Sequence, residues 1–281
     1  MDKKMENETM YKTLTGTTLI LLFALVGTLA SPATAITNGQ PDDNLHPYVG
    51  LAVFDDAPGH PAWRCSGALI SSTVFLTAAH CTDGAVAARV WFEPGGGSGY
   101  PPGYPFGGGT SIEAKEIHTN PGFCIGCAKG LPGFDTHDVG LLILSQPVTD
   151  KGFASLPTEG LVDTLKMKTE VTIVGYGVQY KLQISGPPYD RWAGRSRMFA
   201  PSLLVQSNDK ISSEYLKLTA NPSQGKGGVC FGDSGGPVLL SQGVDNIVLG
   251  VNSFGSNSNC AGLSYANRID TYALQWVQEY L

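Results

Sequence analysis

Short apolar runs recur along the chain, and residues that form turns separate them. Each run has the length and the residue types of a β-strand. They occupy residues 68–70, 74–76, 139–144, 171–174, 238–240 and 247–251. Many short strands with turn residues between them are typical of a β-barrel or a β-sandwich.

The period of the pattern changes at the C-terminal end. Apolar residues follow there at i, i+3, i+4 and i+7: Ala273, Trp276, Val277 and Tyr280. This spacing predicts a short amphipathic helix over residues 271–281, packed on the domain by that face. Asp270 or Thr271 is a suitable N-cap, because short polar side chains accept bonds from the first free N–H groups of a helix.

One segment, residues 94–110, consists mainly of Gly and Pro. Such a composition breaks regular structure and predicts a mobile surface loop. The whole chain is also rich in both residues, with 36 Gly and 18 Pro, and only 15% of its residues are charged. This balance favours short strands and tight turns over long solvated helices, so we predict an all-β fold.

Length and charge limit the possible functions. The 281 residues, 42% of them hydrophobic, can bury the core of one large all-β domain or of two small ones. The net charge is −6, and the chain has no run of Lys and Arg that could track phosphates. A nucleic acid is therefore not an expected partner.

Residues 1–35 differ from the rest of the chain. Lysines at positions 3, 4 and 12 precede an apolar run at 19–30, and the sequence Ala-Thr-Ala follows at 33–35. This order is that of a secretory signal, and a run of twelve residues is too short to span a bilayer. A buried N-terminal helix is disfavoured because the run is not amphipathic. We expect a soluble, secreted mature protein, with no membrane contact after signal removal.

The chain contains six cysteines. Export would place them in an oxidising compartment, where they would form three disulfides. Six cysteines allow fifteen pairings, and spacing alone does not choose among them.

Ser234 is the first candidate for chemistry, because glycines flank it in Gly-Asp-Ser-Gly-Gly-Pro-Val. Such a serine can expose its hydroxyl while nearby backbone N–H groups approach a substrate carbonyl. Read as Gly-x-Ser-x-Gly, the string fits the nucleophile elbow of α/β-hydrolases, in which the histidine follows the serine. All five histidines, at positions 46, 60, 80, 118 and 137, precede Ser234, so this interpretation fails.

Two further strings identify a family. Thr-Ala-Ala-His-Cys ends at Cys81, and His-Asp-Val-Gly-Leu-Leu begins at His137. Together with the serine string they resemble the trypsin/chymotrypsin-like serine peptidases, over residues 36–281. The resemblance implies two six-stranded Greek-key β-barrels with the active site between them, followed by a short C-terminal α-helix.

It also implies a catalytic triad. Ser234 would attack the scissile carbonyl, His80 would carry its proton to the leaving amine, and Asp138 would orient the imidazole and stabilise its cation. Backbone N–H groups of Gly232 and Ser234 would form the oxyanion hole. His137, beside the acid, is expected to be a neighbour only. A binding protein that has lost catalysis is the alternative, but such proteins usually lack a triad member.

Substrate-binding positions follow from the same resemblance: Gly228, Val229, Phe231, Ser253, Phe254 and Gly255. An Asp at position 228 would select Arg or Lys, so Gly228 predicts cleavage after uncharged residues, aliphatic or aromatic. Leu263 could shorten the pocket if it lies near the floor. Ser253 would also brace the triad acid.

The cysteine pairs Cys65–Cys81 and Cys230–Cys260 are implied as well. Cys124 and Cys127 match no position of the family. A Cys-x-x-Cys pair can be a redox centre, half of a zinc site or a small disulfide. We predict the small disulfide, because the resemblance already assigns the other four cysteines to disulfides.

The two residues that take part in the family's activation step are also present in this chain. A new N-terminus at Ile36 would place its ammonium against Asp233, which would order the oxyanion loop. Signal cleavage after residue 35 would expose Ile36 directly, whereas cleavage after residue 30 would leave a five-residue extension. We expect a monomer that acts on proteins or peptides, with no cofactor and no metal.

Overall fold

The computed structural model describes residues 36, 38–95, 100–124, 127, 137–178, 180–182, 189–191, 196–206, 214–221, 224–242, 245–258 and 260–281. The expected export signal, residues 1–35, lies outside the described residues and stays a prediction. No helix among the described residues is both long enough and apolar enough to cross a membrane.

The first half of the chain forms a closed β-barrel. A two-residue strand, β1 (Gln40–Pro41), precedes it. The barrel strands are β2 (Val49–Ala57), β3 (His60–Leu69), β4 (Val74–Thr77), β5 (Ala87–Trp91), β6 (Ile112–Thr119) and β7 (Gly140–Leu144). They close antiparallel in the order β2-β3-β4-β7-β6-β5. A short helix, α1 (Ala79–Thr82), follows β4.

The second half contains a second closed barrel, preceded by a 3₁₀ turn at Leu161–Thr164. Its strands are β8 (Glu170–Gly175), β11 (Met198–Gln206), β12 (Tyr215–Ala220), β13 (Pro237–Gln242), β14 (Asp245–Gly255) and β15 (Gly262–Arg268). A small hairpin of β9 (Tyr180–Leu182) and β10 (Tyr189–Arg191) lies between β8 and β11. The barrel closes as β8-β11-β12-β15-β14-β13, and β1 adds to the edge of β11.

Both barrels use the same strand order. Counted from the first strand of each, the neighbours are first, second, third, sixth, fifth and fourth. Each barrel has its own apolar core, built by inward-facing residues such as Phe54 and Leu141 in the first and Ile173 and Leu218 in the second. The predicted all-β fold with two six-stranded Greek-key barrels is confirmed.

The C-terminal helix, α2 (Tyr272–Gln278), is shorter than the predicted 271–281. Ala273 and Val277 are fully buried in the first-barrel core, which confirms the predicted packing face. Neither proposed N-cap bonds to the start of the helix. Thr271 occupies the cap position without a side-chain hydrogen bond, and the Asp270 carboxylate accepts bonds from Arg268 and the backbone of Val162.

Arg197, directly before β11, joins the two barrels. Its Nη1 donates to the carbonyl oxygens of Val49 (2.9 Å) and Phe92 (3.0 Å), both in the first barrel, and to Tyr176 Oη (3.2 Å), which follows β8. Its Nε donates to Asp42 Oδ2 at 2.7 Å, and both side chains are completely buried. A buried cation is stable only when opposite charge and hydrogen bonds replace water, so this cluster depends on every partner being present.

Replacing Arg197 by Met is expected to destabilise the protein by about 3–5 kcal/mol, because the Asp42 carboxylate stays buried without its cation. The measurement is urea unfolding of both chains in a Ser234→Ala background, which prevents self-digestion. Lys226→Met is the control: Lys226 pairs with Glu170, whose side chain is 61% exposed, and surface pairs contribute about 0–1 kcal/mol. Equal losses in the two variants would contradict a special role of Arg197.

Candidate active site

His80 and Asp138 form a hydrogen-bonded pair on the first barrel. His80 lies on α1, and Asp138 precedes β7 by two residues. The Nδ1 atom of His80 lies 2.8 Å from Asp138 Oδ2, and the backbone N–H of His80 donates to Oδ1, also at 2.8 Å. Two bonds to one carboxylate fix the orientation of the ring and leave Nε2 as the ring nitrogen that is not bonded to Asp138.

The second barrel completes the environment of the carboxylate. Ser253 Oγ, on β14, donates a short hydrogen bond to Asp138 Oδ2. Burial alone would raise the pKa of Asp138, but the charge and hydrogen bond of His80 and the bond from Ser253 hold it below its usual value. Burial opposes protonation of His80, yet the charge and hydrogen bond of Asp138 raise its pKa above 6.5.

Ser234 is held in place by the first barrel. The backbone N–H of Ser66, on β3, donates to the Ser234 carbonyl at 2.7 Å, and Ser66 Oγ donates to the Gly232 carbonyl at 2.9 Å. Gly235, the next residue, has φ of +82°, and a Cβ there would lie 2.1 Å from Thr77 Oγ1. Only glycine permits this close approach of the serine loop to the first barrel.

Asp233 anchors the same loop from inside. Its carboxylate is completely buried and accepts backbone bonds from Gly177 (2.7 Å) and Cys230 (2.9 Å). Burial raises the pKa of Asp233 to about 7, although these two donors and the charge of Arg64 act in the opposite direction. Ile36, the expected first residue of the mature chain, is completely buried in the second-barrel core.

A cavity of about 460 Å³ opens beside Ser234 and His80, and we call it the acyl pocket. Five of the six predicted substrate-binding residues line it: Val229, Phe231, Ser253, Phe254 and Gly255. Gly228 is buried but is not among the residues that line the cavity. Leu263, considered for the floor, instead packs against the aromatic cluster of Tyr215, Phe254 and Tyr265.

Sequence reasoning missed the polar part of this pocket. Ser256, Asn257 and Ser258 line it, and so does Asn252, whose side chain is 1% exposed. The signal was present, because Asn252 directly precedes Ser253 and interrupts an otherwise apolar strand.

In its described part, residues 94–95 and 100–110, the Gly- and Pro-rich segment makes contacts with the first barrel, and its mobility stays a prediction. Trp91 Nε1 donates to the Pro102 carbonyl at 2.9 Å, and Arg89 Nη1 donates to the Pro105 carbonyl at 2.6 Å. The Tyr100 and Tyr104 rings stack with centroids 5.1 Å apart. Composition predicted the turns correctly, but the aromatic residues between them attach the segment to β5.

The six cysteines form three disulfides: Cys65–Cys81, Cys124–Cys127 and Cys230–Cys260. Among the described residues, the cluster with spacing suitable for a metal ion is Cys65, His80 and Cys81. Since the two cysteines are bonded to each other, they provide no thiolate for a metal.

Comparison with known proteins agrees with this geometry. The family model described as Trypsin matches residues 36–277. The chain belongs to the trypsin family of serine peptidases. Trypsin-family relatives include brachyurin of Leptuca pugilator, 30% identical over 84% of this chain and 93% of that protein, and Serine protease 1 of Drosophila melanogaster, 27% identical over 87% and 84%.

Solved structures show the same fold. HL collagenase superposes with a TM-score of 0.62, with 23% identity, over 84% of this chain and 94% of that chain. Human heparin binding protein superposes with a TM-score of 0.61, with 18% identity, over 86% and 94%. The trypsin-family assignment therefore rests on sequence and on fold together, and it makes the chain a peptide-bond hydrolase.

Proposed function

We propose that this chain is a secreted serine endopeptidase whose residues 36–281 form the catalytic domain and whose triad is His80, Asp138 and Ser234. The observation that carries the proposal is the buried Asp138, which holds His80 by two hydrogen bonds and is braced by Ser253. His80 and Ser234 both line the acyl pocket, where a substrate carbonyl would lie.

Catalysis follows from the protonation states. Asp138 stays ionised, because its pKa is lowered, and keeps the Nδ1 proton of His80 directed towards itself. Nε2 is then free of a proton and can accept that of Ser234 Oγ during attack on the carbonyl. The imidazolium formed is stabilised by the Asp138 charge and returns its proton to the leaving amine; water then cleaves the acyl-enzyme by the reverse proton path.

The oxyanion would bind to the backbone N–H groups of Gly232 and Ser234. The carbonyls that share peptide planes with these donors, those of Phe231 and Asp233, accept hydrogen bonds from the N–H groups of Val178 (2.8 Å) and Gly236 (2.9 Å), so the planes that carry the donors cannot easily rotate. Fixed donors at this position contribute roughly 3–4 kcal/mol each to lowering the barrier in other peptidases.

Ser234→Ala and His80→Ala are each expected to remove nearly all peptidase activity without unfolding the protein. Asp138→Asn should lower turnover by about 10⁴-fold, the loss known for this change in trypsin-type triads, because the amide holds the wrong tautomer. Labelling by a fluorophosphonate tests whether Ser234 is a reactive nucleophile, and hydrolysis of a peptide substrate measures the turnover of each variant. A binding protein without catalysis would give no labelling of the wild type.

The same experiment has a pH readout. Activity requires neutral His80, so kcat/KM rises as pH increases through the raised pKa of His80. Removing the Asp138 charge removes the interaction that raises this pKa, so the acid limb of the residual activity should move to lower pH. An unchanged limb in Asp138→Asn would contradict the assignment of the acid.

The residue before the scissile bond is expected to be uncharged. Apart from His80, no ionisable side chain lines the acyl pocket among the described residues. A Lys or Arg side chain would lose its water without gaining a counter-charge, which is costly. Val229 and Phe254 contribute apolar walls, so Leu, Met, Phe or Tyr at this position fits the pocket.

A panel of peptides that differ only at this residue should show the highest kcat/KM for aliphatic or aromatic side chains. Gly255→Val tests the wall directly: a Cβ at Gly255 has no neighbour closer than 3.7 Å, so the variant folds but narrows the entrance. Preference should then move from Phe towards Ala. Fastest cleavage after Arg or Lys in the wild type would refute the proposal.

We also propose that export activates the enzyme. Signal cleavage after residue 35 would expose the Ile36 ammonium, and Ile36 is already seated in the second-barrel core. In the uncleaved chain burial raises the pKa of Asp233 from its ordinary value of 3.8 to about 7. The folded state therefore loses stability as pH rises from 3.8 to about 7, because the buried carboxyl must ionise. An ammonium beside it would remove this cost and hold the oxyanion loop.

N-terminal sequencing of the active secreted enzyme should therefore begin at Ile36. Asp233→Asn should lower activity by disordering the oxyanion hole, although Asp233 does no chemistry. Asp245→Asn, an exposed position at the start of β14, is the matched control and should keep full activity. A fully active enzyme that begins at residue 31 would overturn both the processing and the ion pair.

A further inference from the structure

A second cavity, of about 660 Å³, also borders Ser234, and we call it the leaving-group cleft. The cleft is lined by Val53, residues 61–65, Tyr104, Pro105, Phe231 and Gly232, together with His80 and Ser234. It shares His80, Phe231 and Ser234 with the acyl pocket. A peptide whose carbonyl lies at Ser234, with its preceding residue in the acyl pocket, must continue through this cleft.

The first wall of the cleft is Trp63, on β3. Its Nε1 donates to the Cys81 carbonyl at 2.8 Å, and its ring stacks on Phe54 with centroids 6.2 Å apart. The indole is thereby fixed with one face towards its own barrel. Its remaining apolar surface is available to a ligand in the cleft.

The second wall is the Gly- and Pro-rich segment, at Tyr104 and Pro105. Tyr104 packs between Trp91 (centroids 5.7 Å apart) and Tyr100 (5.1 Å apart), and Arg89 binds the Pro105 carbonyl. Side chains fixed before binding lose little entropy when a ligand arrives, so such a wall binds more tightly than a mobile loop.

One cationic side chain lines the cleft. Arg64 lines it, and no acidic side chain does so among the described residues. The guanidinium lies close to the oxyanion loop, since Arg64 Nη2 is 3.2 Å from the place of a Cβ on Gly232. A cationic substrate residue near this point would be repelled, whereas an anionic one would be attracted.

We propose that Tyr104, Pro105 and Trp63 form a binding site for an apolar side chain within the first three residues after the scissile bond, and that Arg64 disfavours Lys or Arg there. The proposal rests on the proposed peptidase function and names the substrate class on its leaving side. It makes Tyr104 and Pro105 of the Gly- and Pro-rich segment part of the substrate-binding surface.

Acyl transfer measures this site directly. An ester of an N-acyl leucine acylates Ser234, and a tripeptide amide, Xaa-Ala-Ala, Ala-Xaa-Ala or Ala-Ala-Xaa, then competes with water for the acyl-enzyme. The amine attacks the acyl carbonyl, a new amide bond forms, the bond to Ser234 Oγ breaks, and His80 carries the amine proton to that oxygen. The ratio of aminolysis to hydrolysis reports binding of the nucleophile in the cleft.

At one of the three positions the ratio with Xaa as Leu or Phe should be about tenfold higher than with Gly, since burial of such a side chain accounts for at least this factor. Glu should exceed Lys, and Arg64→Gln should make the two equal. Tyr104→Ala should remove most of the preference for Leu over Gly. Phe106→Ala, the matched control, changes a residue of the same segment that is 71% exposed and does not line the cleft.

Equal ratios for Leu and Gly at all three positions in the wild type would overturn the proposal, and so would an equal loss in Tyr104→Ala and Phe106→Ala. The wild-type comparison needs no variant, so the proposal stays testable if Tyr104→Ala does not fold. Failure of the proposed function looks different: the ester would then not acylate the enzyme even before any nucleophile is added.

Discussion

The buried ion pair of Arg197 and Asp42 sets the relation of the two barrels, and the site depends on that relation. Arg197 binds carbonyl groups of β2 and of the residue after β5 while its own backbone leads into β11. His80 and Asp138 belong to one barrel, whereas Ser234 and Ser253 belong to the other. A change of an ångström at the junction would separate the nucleophile from its base, and effects of this size reduce rates strongly.

Ser66 makes the second connection, at the site itself. One residue binds the backbone of Gly232, Ser234 and Tyr176, all from the second barrel, although it belongs to β3. The bond from Ser253 to Asp138 crosses the junction in the opposite direction. Each half of the site is therefore positioned by the barrel that does not carry it, and neither barrel alone would present the chemistry.

Much of this could be predicted from the sequence, because short strings of local residues determine it. The strings around His80 and Ser234 identify the fold, and the period of residues 273–280 predicts the packed face of α2. Arg197 could not be found in this way, since its partners lie at positions 42, 49, 92 and 176 and share no local pattern. Leu263 could not be placed from the sequence for a related reason: the register of β14 and β15 shifts between Asn252 and Phe254, so residue spacing does not translate into position.

Both barrels line the leaving-group cleft: Trp63 and Tyr104 come from the first barrel, and Phe231 and Gly232 come from the second. A ligand that contacts residues of both barrels binds only the state in which the two barrels are packed together. Its binding free energy therefore adds to the free energy that holds the barrels together. Substrate should therefore make unfolding more cooperative, and a peptide that fills the cleft should protect the junction from proteolysis before it protects either barrel core.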